Sequence, residues 1–344
     1  MKLKHIHIDS YKVFEDFDID FCHAGKIQNL VVLTGVNGSG KTILLRDVIF
    51  GNDSAKKPGG CITIEDSGKT KTFTLPVCPS DESYMNVFSK VIFYGVDNKC
   101  SIAEFEKIII SYIDKLVCVQ GKTHIEASHE VQTLIDDIFF DFNLKVQVKR
   151  ISEDKKIIFT NRSDEEFTIE DLSGGERQIL TKMFPLFMDN MKGHVILIDE
   201  PEDSLHPLWQ IKYIPILRRC VQCNDCQFIL ATHSPQIISS MHKEEVCILA
   251  RDDKGTVRVK NNLCFNGPYG LSVERVLSEV QGAKTMRVPE VESRLAGLRD
   301  MVQNSLYDTD GFKTELSGLE ALLGYSDRDL VLIRLDIIRK KKKI

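Results

Sequence analysis

Eight residues, Gly35-Val-Asn-Gly-Ser-Gly-Lys41-Thr42, constrain this chain more than any other stretch. They satisfy G-x-x-x-x-G-K-[ST], and they sit where that pattern has physical meaning, after an apolar strand at residues 30–33 and opening a helix at residues 43–50. Glycines at 35, 38 and 40 permit a tight turn that aims backbone N–H groups inward, and the helix amino terminus adds partial positive charge at the same point. The spacing predicts a cradle for phosphate built from Asn37, Gly38, Ser39 and Gly40, with Lys41 reaching the β and γ phosphates of a nucleotide and the Thr42 hydroxyl on Mg²⁺. The competing reading is a glycine-rich turn with an accidental Lys-Thr.

The rest of the chain supplies a frame for such a loop. Further apolar runs at residues 91–94, 195–198, 228–231 and 246–249 are bounded by turn residues, as in parallel strands buried on both faces. Between them lie helical spacings, including Phe105, Ile109, Tyr112 and Leu116, then Val131, Ile135 and Ile138. Strand and helix alternate, so the class is α/β with a mainly parallel sheet. Near the amino end, Ile6 and Ile8 and then Phe17, Ile19 and Phe21 alternate with polar residues, and residues 61–64 and 71–75 repeat the pattern; flanking antiparallel strands are expected. From residue 272 onward the pattern is helical, with Val291, Leu295, Leu298 and Val302, then Phe312, Leu316, Leu319 and Leu323. The expected organisation is a head over residues 1–250, with a helical lobe at about 100–190, followed by a linker and C-terminal helical region over 251–344.

Composition narrows the setting. The 344 residues are 42% hydrophobic and 28% charged, with 45 Lys+Arg against 50 Asp+Glu, so a formal charge of −5 offers no global basic field to nucleic acid. No apolar stretch approaches the roughly 18 residues of a membrane span, and ten scattered cysteines read as reduced thiols. A cytoplasmic protein without a membrane partner is the expectation.

Two strand ends carry further chemistry. Residues 195–200, Val-Ile-Leu-Ile-Asp-Glu, form a hydrophobic strand tipped by two acids, and a carboxylate there is costly unless a cation or donors offset it. Asp199 is assigned to Mg²⁺, and Glu200 to the base that orients or deprotonates water attacking a phosphoanhydride; the plainer alternative makes Glu200 a surface acid. The next strand ends in Thr232-His233-Ser234-Pro235, which places His233 where it can donate to a γ-phosphate oxygen.

Leu172-Ser-Gly-Gly-Glu-Arg-Gln178, lying before the acid-tipped strand, completes an ordered set that resembles the ATP-binding-cassette ATPases. That resemblance implies ATP and Mg²⁺ as ligands, and that Ser173, Gly174 and Gly175 meet the γ-phosphate of a nucleotide held by another copy, giving a head-to-tail homodimer or higher homo-oligomer. The run Glu200-Pro-Glu-Asp-Ser-Leu-His-Pro207 and Ala-Thr-His-Ser-Pro235 look like the RecF, SMC and OLD-like soluble branch. On the same resemblance, Lys12 of the opening strand and turn approaches nucleotide. No heptads occur between Thr42 and Leu172, so long coiled-coil arms are absent. Where many cassettes carry a Mg²⁺-contacting glutamine, this chain has Gly95-Val-Asp-Asn-Lys-Cys100. The tail, with Arg287-Val-Pro-Glu-Val291, looks like that of small ATPases found with nuclease partners in Septu-type antiphage systems. This implies an ATP-gated regulator of an effector in bacterial defence or DNA maintenance.

Other features admit two readings each. Cys220, Cys223 and Cys226 could bind zinc or an iron–sulfur cluster, with His242 as a conceivable fourth ligand, although Cys226 also fits as a buried residue entering a strand. Asp308 and Asp310 resemble paired nuclease acids, but a turn between helices is simpler. Residues 339–343 either touch phosphate backbones or solvate the end. Trp209, the sole tryptophan, is expected to pack near a dimer seam. The functional alternatives are an ATP-bound scaffold with little turnover and a self-contained ATP-dependent nuclease.

Overall fold

The apolar runs that read as doubly buried strands form one six-stranded sheet. In the computed structural model, which describes residues 1–51, 58–76, 81–95, 102–142, 147–152, 156–161, 163–188, 191–260 and 267–342, its strand order is Val257–Lys260, Val246–Arg251, Leu30–Thr34, Gln227–Ala231, Val195–Asp199, Val91–Tyr94. All neighbours are parallel except the edge pair Val246–Arg251 and Val257–Lys260. Leu30–Thr34, Gln227–Ala231 and Val195–Asp199 are buried at every residue, which explains why none of them shows alternation in sequence.

The period of two reappears in what each face touches. Leu30, Val32, Ile196, Ile198, Phe228 and Leu230 join a core with helices Gly174–Met188 and Pro207–Asn224. Their neighbours Val31, Leu33, Val195, Leu197, Ile229 and Ala231 face a second core with Ile6, Ile8, Phe17 and Ile62, and with Leu44, Leu45 and Val48 of the helix after the phosphate loop. Those amino-terminal residues come from a four-stranded antiparallel sheet in the order Phe14–Asp20, Lys2–Tyr11, Gly60–Asp66, Lys69–Leu75, in which Ile6 pairs with both Ile19 and Ile62. Each fully buried Leu, Ile or Phe contributes roughly 1.5–3 kcal/mol of transfer free energy, so both faces of the central sheet are strongly committed.

Helices Ile102–Cys118, His124–Asp141 and Gly174–Met188 pack on one another, with a three-stranded antiparallel sheet of Gln147–Ile151, Ile157–Thr160 and Glu166–Phe167 lying in chain order before the last of them. Thr123 and Glu126 close a reciprocal capping box at the start of His124–Asp141.

The chain divides into two compact units, Met1–Gln281 and Gly282–Ile344. The second has its own core, in which Val291, Leu295, Leu298 and Val302 of helix Pro289–Gln303 meet Phe312 and Leu319 of Asp310–Leu323 and Leu330 and Ile333 of Arg328–Lys342. No helix among the described residues is long and apolar enough to cross a membrane.

Candidate functional site

Parallel strands present their carboxyl ends at one edge of the sheet, and ligands of open α/β sheets gather there. The phosphate loop leaves Thr34 at this edge. Its glycines are required by contact as well as by conformation: a Cβ on Gly35 would lie 2.1 Å from the Leu249 carbonyl oxygen, and one on Gly40 would lie 2.6 Å from the Phe14 ring. Residues 36–38 are exposed, whereas Ser39, Gly40 and Lys41 are buried. Lys41 Nζ donates to the carbonyls of Gly35 (3.0 Å) and Val36 (3.3 Å) and to Ser39 Oγ (3.3 Å). Burial lowers the Lys41 ammonium to about 8, against the opposing pull of Asp199, Glu200 and Glu202. The following helix begins with Leu44 N–H bonded to the Gly40 carbonyl and winds as a π-helix over Ile43–Ile49.

Two cations flank the loop. Arg251, at the end of its strand, donates from Nη2 to the Gly38 carbonyl (2.9 Å), a contact that nothing in the local sequence signals. Lys12 occupies a left-handed turn, and its Nζ lies 2.7 Å from the buried Asp47 carboxylate on the helix after the loop. The structure thus ties Lys12 to the phosphate-loop helix.

The acid-tipped strand ends beside this loop. Burial raises the Asp199 carboxyl, while a hydrogen bond from Thr42 draws it down. Asp199 Oδ1 is buried with no hydrogen-bond partner. An orphaned carboxylate oxygen next to a threonine hydroxyl fits a divalent cation, which would satisfy a group that is otherwise costly to bury. The backbone reverses at Glu200, which takes a left-handed φ of 49° unusual for a non-glycine residue, with its N–H bonded to the Ala231 carbonyl (2.8 Å).

His233 follows the adjacent strand, half-buried, and burial followed by the Lys41 charge lowers its pKa below the usual imidazole value, with Glu200 opposing. The shift favours the neutral ring. Glu202 Oε1 accepts from the N–H groups of His233 (2.7 Å) and Ser234 (3.0 Å), and the Ser234 hydroxyl caps the short helix Pro235–Ile238. Sequence reasoning passed over Glu202, which looks like one more acid after Asp199 and Glu200. Lys41, Thr42, Asp199, Glu200 and His233 form one electrostatically coupled group.

Ser173, Gly174 and Gly175 make their contacts elsewhere. Ser173 Oγ accepts from Glu176 N–H (3.3 Å) and Glu176 Oε2 accepts from Ser173 N–H (2.9 Å), a capping box that starts helix Gly174–Met188. Ser173 and Gly174 are exposed. A Cβ on Gly175 would meet the Trp209 ring at 2.5 Å, so tryptophan packing demands glycine here. Trp209 also meets Phe142 and His206 edge to face. From the same helix, Lys182 Nζ donates to the Pro201 (3.3 Å) and Asp203 (2.6 Å) carbonyls, joining it to the turn after Glu200.

The remaining sequence candidates are structurally placed as follows. Cys220 and Cys226 are buried, and burial pushes the Cys226 thiol up to about 11; the Cys223 side chain and residues 96–100, including the segment compared with a glutamine loop, lie outside the described residues. His242 stacks on Tyr269. Asp308 pairs with Lys341 (2.9 Å), and Asp310 starts a helix capped by Thr309. In the basic end, Arg339 lies 3.2 Å from Asp336, and Lys340 donates to the Val302 and Gln303 carbonyls.

A phosphate loop, an acid-tipped strand and a histidine thus meet at one sheet edge, with a Ser-Gly-Gly helix start in the same unit. Residues 119–239 match the family described as "AAA domain, putative AbiEii toxin, Type IV TA system". The chain is 24% identical over 257 residues to "Retron Ec83 probable ATPase" of Escherichia coli, covering 68% of this chain and 44% of that protein. It is 24% identical over 322 residues to "Septu protein PtuA" of Bacillus mycoides (strain KBAB4), covering 80% of this chain and 44% of that protein. The chain thus spans less than half the length of these relatives. In fold it is similar to an SMC head bound to the C-winged helix domain of ScpA (TM-score 0.54, 12% identity, 76% of this chain and 97% of that one). A second SMC head with an extended coiled coil gives TM-score 0.50 at 13% identity, covering 81% and 98%. Residues 119–239 are thus similar to an AAA domain, and the chain is similar to the retron ATPases and Septu PtuA.

Proposed function

We propose that the chain is an ATP-binding and ATP-hydrolysing switch that closes head to tail with a second copy around nucleotide, and thereby regulates an effector such as a nuclease in antiphage defence. The observation that carries this reading is the buried Asp199 carboxylate, hydrogen-bonded to Thr42 and left with an unpartnered oxygen beside Lys41 and Glu200. Thr42 and Asp199 would hold Mg²⁺, which supplies charge neutralisation at the β and γ phosphate oxygens.

Each residue has a defined part. Lys41 exchanges the carbonyls of its own loop for phosphate oxygens, and the amides of Asn37, Gly38, Ser39 and Gly40 complete the cradle. Glu200, turned out of the strand by its left-handed backbone, orients and deprotonates the attacking water. The His233 ring donates to the γ-phosphate, and the His233 main-chain N–H is held by Glu202. Exposed Ser173 and Gly174 present a helix amino end to the nucleotide of the second copy, with Gly175 seated on Trp209 behind them. Assignment to defence, and to an effector partner, rests on the Septu and retron relatives.

Steady-state hydrolysis by Glu200→Gln tests the catalytic part. On this reading turnover falls about a hundredfold or more while ATP binding persists; equal rates in both proteins would instead favour the scaffold reading.

A further inference from the structure

The loop that carries His233 is pinned from two directions. Glu202 accepts from the His233 N–H at 2.7 Å. The side chain of Gln281 donates from Nε2 to the His233 carbonyl oxygen at 2.8 Å, across 48 residues of sequence. A carbonyl only accepts, so the amide nitrogen, not its oxygen, faces this group. Both polar groups of the His233 main chain are thus bonded to side chains from distant segments, which leaves the ring little freedom to move with its backbone. Gln281 is itself fixed: its N–H bonds to the Val276 carbonyl at the end of the π-helical turn Val276–Val280, whose buried Val276 and Val280 belong to the main core. It is also the last residue of the first unit, and Gly282, with φ of 73°, opens the second.

We propose that Gln281 is a positioning residue for His233, fixing the histidine main chain jointly with Glu202, so that the last residue before the C-terminal unit is bonded directly to the histidine proposed to meet the γ-phosphate. The proposal rests on the γ-phosphate donor role proposed for His233 above. Rotating a donor by about 1 Å relative to a reacting oxygen is enough to cost one or two orders of magnitude in rate, and the Gln281 bond opposes that displacement.

The test measures ATP turnover and nucleotide affinity in the full chain for Gln281→Ala, Gln281→Glu, His233→Ala and the Gln281→Ala/His233→Ala double variant, with melting temperatures taken alongside. The expected result is a kcat about tenfold lower in Gln281→Ala with KM changed less than about twofold. Gln281→Glu, equal in size but unable to donate when ionised, loses at least as much, whereas a mere packing role would tolerate it. In the His233→Ala background the Gln281 substitution costs nothing further, because it acts through the ring that has been removed. Unchanged kcat in Gln281→Ala, a loss confined to KM, or fully additive losses would overturn the proposal. Full turnover in His233→Ala alone would instead remove the γ-phosphate donor role on which it rests.

Discussion

Charge is handled in opposite ways at the phosphate-loop site and in the C-terminal unit. Around the phosphate loop it is buried and left partly unmatched: Asp199 keeps an orphaned oxygen, Glu202 Oε2 is buried without a partner, and the Lys41 ammonium leans on backbone carbonyls. In the C-terminal unit charge is matched within the bundle. Arg287 reaches Asp327 (2.8 Å) and Asp329 (2.9 Å), Arg299 reaches Asp329 (2.7 Å), Arg294 reaches Glu315 (2.6 Å), and Arg334 meets Glu320. Arg339, Lys340 and Lys341 of the basic end are engaged this way too, with Asp336, the last carbonyls of helix Pro289–Gln303 and Asp308. A satisfied ion pair holds a shape, whereas an unsatisfied buried charge is tolerated where a ligand completes it.

The largest effect that could break this contrast is in the cradle. Lys41→Ala should weaken ATP binding and turnover about a hundredfold or more, measured by nucleotide titration and phosphate release; a change under about threefold would mean that the buried ammonium is structural. A smaller effect is set by proton linkage. Burial lowers the Lys41 ammonium to about 8, and it must be charged to meet phosphate, so ATP affinity should fall as pH rises through 8, and Lys41→Ala should flatten that limb. The smallest effect lies in the bundle: Asp329→Ala should cost about 1 kcal/mol of stability in urea unfolding, since the pairs are partly exposed, with KM for ATP unchanged. A large change in KM there would erase the distinction between the two regions.

What could be read from the sequence was whatever is encoded locally. The phosphate loop lies between its own strand and helix, and the apolar runs at 195–198 and 228–231 became strands because only a doubly covered sheet buries such runs. What escaped were bonds between distant segments: Glu202 to His233 across 31 residues, Gln281 to His233 across 48, and Arg251 to Gly38 across 213. No residue type or spacing announces these, because they exist only after the strands are ordered in the sheet. Trp209 was legible as a packing residue, but its seat on Gly175 depends on how two helices meet. The individual helix Arg328–Lys342 was obscured for another reason: Leu330, Val331, Leu332 and Ile333 are consecutive, so its buried face, Leu330 and Ile333, does not stand out from exposed Leu332 and Leu335.

The central claim, that nucleotide is shared between two copies, is tested most directly by sedimentation velocity of Glu200→Gln with and without ATP and Mg²⁺. The account predicts that the mass doubles, or rises to a higher even multiple, only with ATP, and that Ser173→Arg abolishes the rise while leaving ATP bound. An unchanged mass under saturating bound ATP, or a rise that Ser173→Arg leaves intact, would contradict it.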